Sequence, residues 1–224
     1  MKKSLDGRWA VSPSEGIAIQ RELSHEVIRR WSGGGINLVA GADVHFPSKS
    51  RALAAVTILT YPDLELIEYK SLESDCRFPY IPGLLSFREI PALIDVFDSL
   101  DRIPDLVLCD GQGIAHPRAL GLASHLGIEL DIPTVGCAKS PLFGAFREPG
   151  TERGARSPIK DKSGKTIGTV LRTRNGTKPI YVSIGHLIDL RTAVRYVLSC
   201  TPRFRIPEPL RTAHRLASGN LHDT

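Results

Sequence analysis

No run of apolar residues in this chain approaches the length of a membrane span, and no signal-peptide-like apolar region follows the basic start at Lys2 and Lys3. A membrane-embedded or secreted protein is therefore not expected, and a cytoplasmic one is. Cysteine is scarce: Cys76, Cys109, Cys137 and Cys200 lie far apart, two of them inside apolar runs, so they read as reduced core residues rather than a disulfide framework. Internal repeats, low-complexity tracts and linkers are absent, so the 224 residues are expected to form a single domain. Strong charge of one sign is also missing. Lys and Arg number 29 against 24 Asp and Glu, for a net +5, which permits a polyanionic partner without requiring one. With 42% hydrophobic and 24% charged residues, the composition excludes a disordered chain.

Among what is present, the stretch LVLCDGQGIAHPR at 106–118 stands out. Leu106, Val107, Leu108 and Cys109 make a continuous apolar run of the kind buried in the middle of a sheet, and Asp110 arrives where it stops. Gly111 and Gly113 follow, which lets the backbone turn sharply or a ligand approach closely. His116 and Arg118 add a titratable and a cationic group. An ordinary strand-to-helix turn explains the same segment, because Asp-Gly is a common turn pair. The functional reading needs other carboxylates to converge on Asp110.

Along the chain, residues 13–31 carry Ile17, Ile19, Leu23, Val27, Ile28 and Trp31 at roughly helical spacing, so an amphipathic helix ended by the glycine run 33–35 is expected. Three strand-like runs follow at 36–46 (with Asp43 inside), 52–60 and 64–69, which suggests an antiparallel meander. Pro79, Pro82 and Gly83 then make a stiff loop that holds Tyr80 and Ile81. A helix over 84–100, interrupted or restarted near Pro91, carries Glu89 on its first turns. After the central strand come a helix at 119–126 ending at Gly127 and a strand at 134–137. Strand, helix, strand, helix, strand argues for parallel pairing through right-handed crossovers.

Between 147 and 178 nine basic residues face Glu148, Glu152 and Asp161, a net +6 that exceeds the charge of the whole chain. Runs at 162–169 and 171–181 look like hairpin material with Ser-Gly and Asn-Gly turns, which would place these charges on a protruding, solvated surface. Composition alone divides evenly between a merely soluble loop and a phosphate-contacting one. A strand at 181–184 and helices at 187–198 and 207–217 complete the pattern, with the last few residues frayed.

Asp43 on the first strand, Glu89 on a helix and Asp110 at the end of a parallel strand can meet at one edge of a mixed sheet. Carboxylates with few His or Cys ligands suit Mg²⁺ or Mn²⁺. Read alone, Asp43 is also compatible with a turn cap or an arginine partner, although an unpaired carboxylate in an apolar strand is costly.

The motifs GADVHF (41–46), PYIPGLLSFRE (79–89), LCDGQGIAHPRALGLASHLG (108–127) and GCAKSPLFG (136–144), in this order and spacing, resemble the endonuclease V family of deoxyinosine-specific repair nucleases. The resemblance runs from about residue 16 to about residue 216, the expected core of the domain, and does not align the 147–178 region. It implies an α/β, ribonuclease H-like fold, a mixed sheet flanked by helices. It implies hydrolysis of the second phosphodiester bond 3′ to a deaminated purine, with Mg²⁺ as cofactor and Mn²⁺ as a substitute. Asp43 and Asp110 match the family's metal-binding carboxylates and Glu89 its third acidic residue. Lys139 matches a lysine at the scissile phosphate, and His214 a C-terminal histidine for proton transfer or metal positioning; by itself His214 reads as a surface residue.

Pro79, Tyr80, Ile81, Pro82 and Gly83 match the DNA wedge, a stiff loop able to insert beside a base step; a rigid surface turn is the plainer reading. Gly83, Leu85, Gly111, Gly113, Gly121 and Leu142 are assigned to a pocket for the everted base, where backbone groups can distinguish inosine from adenine. For His116 there are three readings: orienting a carboxylate, contacting a phosphate, or a structural role. Damaged DNA is the expected partner and a monomer the expected state. Inosine-containing RNA is the alternative substrate, since the choice turns on a single 2′-hydroxyl. A noncatalytic nucleic-acid-binding module would be expected to have lost some of Asp43, Glu89 and Asp110. A phosphatase with an aspartyl nucleophile is disfavoured because His45, not a second Asp, follows two residues after Asp43.

Overall fold

The alternation of residues along the central strands sets the layers of this molecule. The structure, a computed structural model, describes residues 9–219; the basic start and the frayed C-terminus expected above lie outside them. In strand β4 (Leu106–Cys109), Leu106 and Leu108 enter one apolar cluster while Val107 and Cys109 enter another on the opposite face. Helices α4 (Leu190–Ser199) and α5 (Glu208–Ala217) supply Val194, Val197 and Leu210 to the first cluster. Helices α2 (Leu85–Asp98) and α3 (Leu122–Leu130) supply Ile90, Leu93, Leu122 and Leu126 to the second. A strand covered on both faces has no polar side to show, which is why 106–109 reads as a continuous apolar run.

The remaining strands are β1 (Leu38–Ser48), β2 (Arg51–Thr60), β3 (Leu66–Asp75), β5 (Thr134–Ala138), β6 (Arg156–Lys160), β7 (Thr166–Leu171) and β8 (Ile180–His186), and all eight form one sheet of order β3-β2-β1-β4-β5-β8-β7-β6. The expected meander is present as antiparallel β1/β2 and β2/β3 pairs, and the expected crossovers as parallel β1/β4 and β4/β5 pairs. Strand β8 joins β5 antiparallel. This is the ribonuclease H-like mixed sheet that the resemblance implies. Among the described residues no helix is long and apolar enough to cross a membrane, and all four cysteines are buried and free.

Several boundaries differ from expectation. Helix α1 covers Pro13–Leu23 and does not reach Trp31. A Ser12–Glu15 capping box and Pro13 start it, and it ends at Ser24, whose hydroxyl donates to the Arg21 carbonyl at 2.8 Å. The apolar residues beyond lie in chain that is neither helix nor strand: Trp31 packs edge-on to Tyr196 at 5.8 Å, while Ile28 is exposed. Helix α2 runs unbroken through Pro91, held by its buried face of Phe87, Ile90, Leu93 and Ile94. Helix α3 does not end at Gly127 but continues to Leu130 and is capped by Asp131 in the left-handed region (φ 53°). Gly127 sits inside it because a Cβ there would stand 2.3 Å from the Thr134 hydroxyl.

The hairpins expected in the basic 147–178 region are present as antiparallel β6/β7 and β7/β8 pairs, and its basic residues are exposed apart from Arg172. Its strands β6 and β7 continue the sheet to its edge, and Arg172 is buried with its guanidinium donating to the carbonyls of Gly150, Pro149 and Thr177 and to Glu148.

Candidate active site

Strand register brings the two aspartates together. In the parallel β1/β4 ladder Ala42 lies opposite Cys109, so Asp43 and Asp110, each one residue further on, stand abreast at the end of the ladder. The Asp110 amide donates to the Ala42 carbonyl at 3.3 Å and continues that pairing past the end of β4. Strand β5 pairs with β4 and delivers Lys139, its next residue, to Asp110 with Nζ 2.5 Å from Oδ2. Helix α5 is seated across the other side by the Thr57 hydroxyl, which donates to the Pro209 carbonyl at 2.9 Å, and by Leu216 and Ala217 packing on Ala55. Between those two contacts, His214 places Nδ1 2.7 Å from Asp43 Oδ2.

Donor atoms of Asp43, Asp110 and His214 all lie within 4.8 Å of one another. Glu89 is not part of this triplet; it approaches from α2 and is coupled to it by charge. Burial and the charges of Asp43 and Asp110 push the Glu89 carboxyl well above the ordinary range, with Arg88 opposing. Asp43 is raised as well, first by burial and then by Asp110, against the hydrogen bond and charge of His214 and the charge of Lys139. Arg88 does not neutralise the cluster directly. Its guanidinium donates to the carbonyls of Phe78 at 2.8 Å and Lys49 at 3.1 Å and lies over the Phe46 ring. Crowded carboxylates that are hard to ionise together, with an imidazole alongside, form a donor set that a hard divalent cation fits and relieves.

Asp110 and Lys139 also line a cavity of about 360 Å³. The exposed loop at 80–83 forms one side, Gly111, Gly121 and Leu122 another, and Leu142 the rim. Five of the six residues assigned to a base pocket (Gly83, Leu85, Gly111, Gly121 and Leu142) are in this lining. Gly113 is not. It is packed against β8, where a Cβ would stand 1.9 Å from the Ile184 carbonyl oxygen, and its amide donates to the Ser183 hydroxyl at 2.8 Å. Tyr80 is 70% exposed at the tip of the loop, as an inserting residue must be.

The root of that loop is clamped. Gly83 adopts φ 81°, which favours glycine, and its carbonyl accepts from Gln20 Nε2 at 3.0 Å, His116 Nε2 at 3.0 Å and Arg118 Nη2 at 2.7 Å. The Arg118 amide donates to His116 Nδ1, so the proton sits on Nε2 of a neutral ring. Burial first, and the charge of Arg118 second, push His116 down to about 4. His116 thus holds the loop at Gly83 and bonds none of Asp43, Glu89 and Asp110.

Gln20 was not singled out from the sequence. Reading α1 as amphipathic sends its polar positions to solvent, yet Gln20 is 1% exposed and also donates to the Leu120 carbonyl and accepts from Arg118 Nε. Gln112 was missed as well; its amide donates to the Ser140 carbonyl at 3.0 Å and ties the two strand-end loops together. Gln20→Leu is expected to destabilise the fold by about 1–3 kcal/mol through the unsatisfied buried groups it leaves. An unchanged denaturation midpoint would show that the clamp contributes nothing.

The chain matches the family model for endonuclease V over residues 20–215. It is 47% identical over 218 residues to endonuclease V of Roseiflexus sp. (strain RS-1), with 97% of each chain covered. The crystal structure of endonuclease V from Streptomyces avermitilis is similar with a TM-score of 0.89 at 39% identity, over 95% of this chain and 94% of that one. Endonuclease V of Ciona intestinalis, solved in complex with a 24mer DNA containing an inosine followed by a ribo-adenosine, is similar with a TM-score of 0.84 at 28% identity, over 93% and 97%.

Proposed function

This chain belongs to the endonuclease V family of nucleases, and on that premise we propose that it is a DNA repair endonuclease that recognises deoxyinosine and hydrolyses the second phosphodiester bond 3′ to it, leaving a 3′-hydroxyl and a 5′-phosphate. The observation that carries this reading is that Asp110 belongs both to the carboxylate–imidazole cluster and to the lining of the cavity beside the exposed loop. A base everted into that cavity brings its own strand to the carboxylates.

Asp43 and Asp110 would hold Mg²⁺, with Glu89 as the third acidic residue, His214 alongside and Mn²⁺ as a substitute; when bound, the ion supplies Lewis-acid charge at the scissile phosphate. The chain's own groups do the rest. The Lys139 ammonium, anchored on Asp110, offsets charge on the phosphate. His214 is oriented through Nδ1 by Asp43, which leaves Nε2 to move a proton. Water attacks phosphorus, the bond to the 3′ oxygen breaks, and that oxygen leaves with a proton as the 3′-hydroxyl; no covalent enzyme intermediate forms.

Tyr80 and Ile81, stiffened by Pro79 and Pro82 and clamped at Gly83, serve as the wedge that holds the strands apart. Tyr80→Ala is expected to lower the preference for an inosine duplex over its adenine counterpart about tenfold, taking base–aromatic stacking as about 1–3 kcal/mol, with no loss of thermal stability because the side chain is exposed. Equal preference in wild type and variant would remove the wedge from the account.

The ribo-adenosine in the Ciona complex supports an inosine-directed ribonuclease as the second reading. The products test the first: after incubation of an inosine duplex with Mg²⁺, DNA ligase should reseal the nick directly, and a nick that resists ligation would contradict the proposed ends.

A further inference from the structure

The β6–β7 edge of the sheet carries charge that the proposed reaction does not use. Pro141 and Leu142 wall the lesion cavity on its inner side, and the same two residues wall a second depression of about 480 Å³ whose far side includes Lys160 and Lys162. A third depression, of about 460 Å³, shares Ala145, Phe146 and Lys160 with the second and adds Arg147. Together they form one track that begins at Asp110 and Lys139 and ends at Arg147.

The track is built on fixed backbone. Ala145 and Lys160 exchange two main-chain hydrogen bonds of 2.8 Å each, and Phe146 packs edge-on to Tyr181 at 5.3 Å. Asp161, the acidic residue on the track, is engaged within its own turn: Oδ1 accepts from the Ser163 amide at 2.9 Å, the Ser163 hydroxyl at 2.7 Å and the Lys165 amide at 3.0 Å. Among the described residues, neither Lys160 nor Lys162 is in an ion pair. Exposed cations therefore share these depressions with exposed Leu142 and half-buried Phe146, a combination suited to a nucleic-acid strand, with its regular phosphates and apolar sugar and base faces.

We propose that this track holds the stretch of nucleic acid flanking the everted base, with Lys160 and Lys162 against its phosphates and Leu142 and Phe146 against its sugars and bases. The inference rests on the nuclease reading above and extends the contact surface beyond the cleavage site.

The test is fluorescence anisotropy of the full chain with a labelled deoxyinosine duplex in EDTA, where binding is read without cleavage, across a series of KCl concentrations. Lys160→Glu and Lys162→Glu are each expected to make the negative slope of log affinity against log salt shallower by about one, and the pair by about two. Lys160→Gln with Lys162→Gln should do the same without charge reversal. Lys70→Glu, on β3 at the opposite edge of the sheet, should leave the slope where it is. Slopes for Lys160 and Lys162 variants equal to those of wild type and Lys70→Glu would overturn the track. If the unmutated chain does not prefer the inosine duplex, the nuclease reading itself fails and takes the track with it, an outcome seen before any variant is compared.

Discussion

Replacing Asp110 by alanine is expected to reduce Mg²⁺-dependent cleavage by about three orders of magnitude or more, while binding to an inosine duplex stays measurable. Asp110 is where the strand-end carboxylates, the Lys139 ammonium and the base cavity meet. Its loss removes a ligand from the cation and the anchor from the lysine at once. Charge stabilisation at a metal site is worth several kcal/mol, and each 1.4 kcal/mol is about a factor of ten in rate. The loop at 80–83 and most of the cavity lining are untouched, so the lesion can still enter. Turnover within about tenfold of wild type, by the same rate conversion, would take Asp110 out of the mechanism.

The second large effect concerns stability. Glu89 is buried beside Asp43 and Asp110, and its carboxyl is pushed well above the ordinary range. A group raised in the folded state contributes stability that is fully present below its unfolded value, about 4.3 for a glutamate, and lost as pH rises through the raised folded value. Asp43 is shifted in the same direction. The metal-free chain should therefore become less stable as pH rises out of the ordinary carboxylate range towards neutrality.

Glu89→Gln removes the cost of ionising that carboxyl. At pH 7 without metal it is expected to raise Tm by several degrees, at about 2–4 °C for each 1 kcal/mol relieved in a chain of this size, and to flatten the pH dependence. Cleavage should be abolished in the same variant. Added Mg²⁺ should raise the Tm of wild type more than that of the variant, since a bound cation stabilises the folded state in proportion to its affinity. A Glu89→Gln chain that is less stable than wild type at pH 7, or that keeps the same pH slope, would mean that Glu89 is not held under electrostatic stress.

Asp110 and Asp43 also show how far the sequence could be read. Asp110 was visible because an apolar run ends on it, and Asp43 because a carboxylate inside an apolar strand needs a reason. That they stand abreast is a matter of register, Ala42 opposite Cys109, which strand patterns do not state; the motif resemblance supplied the pairing. The meander and the crossover half were readable from period and punctuation, since strands buried on both faces are continuous runs and the turns carry their own residues.

What escaped is long-range hydrogen bonding to main chain. Gln20 and Arg118 converge on one carbonyl, Gly83, from 63 and 35 positions away, and nothing local marks a buried glutamine on a helix or a histidine kept neutral by its surroundings. The helix at 13–23 was overextended for a related reason: apolar residues at helical spacing can equally serve an irregular segment that packs Val27 and Trp31 on the core. Arg172 looked like a surface charge because composition cannot show that three carbonyls and a glutamate await it.

The most direct test is cleavage of an end-labelled duplex that carries one deoxyinosine, with Mg²⁺ or with EDTA, beside a matched adenine duplex and an inosine-containing RNA. A metal-dependent nick one nucleotide beyond the lesion, absent from the adenine duplex, is the predicted result. Binding of the inosine duplex with no nick under Mg²⁺ or Mn²⁺ would contradict the account and leave the cluster of Asp43, Asp110 and His214 without a catalytic role.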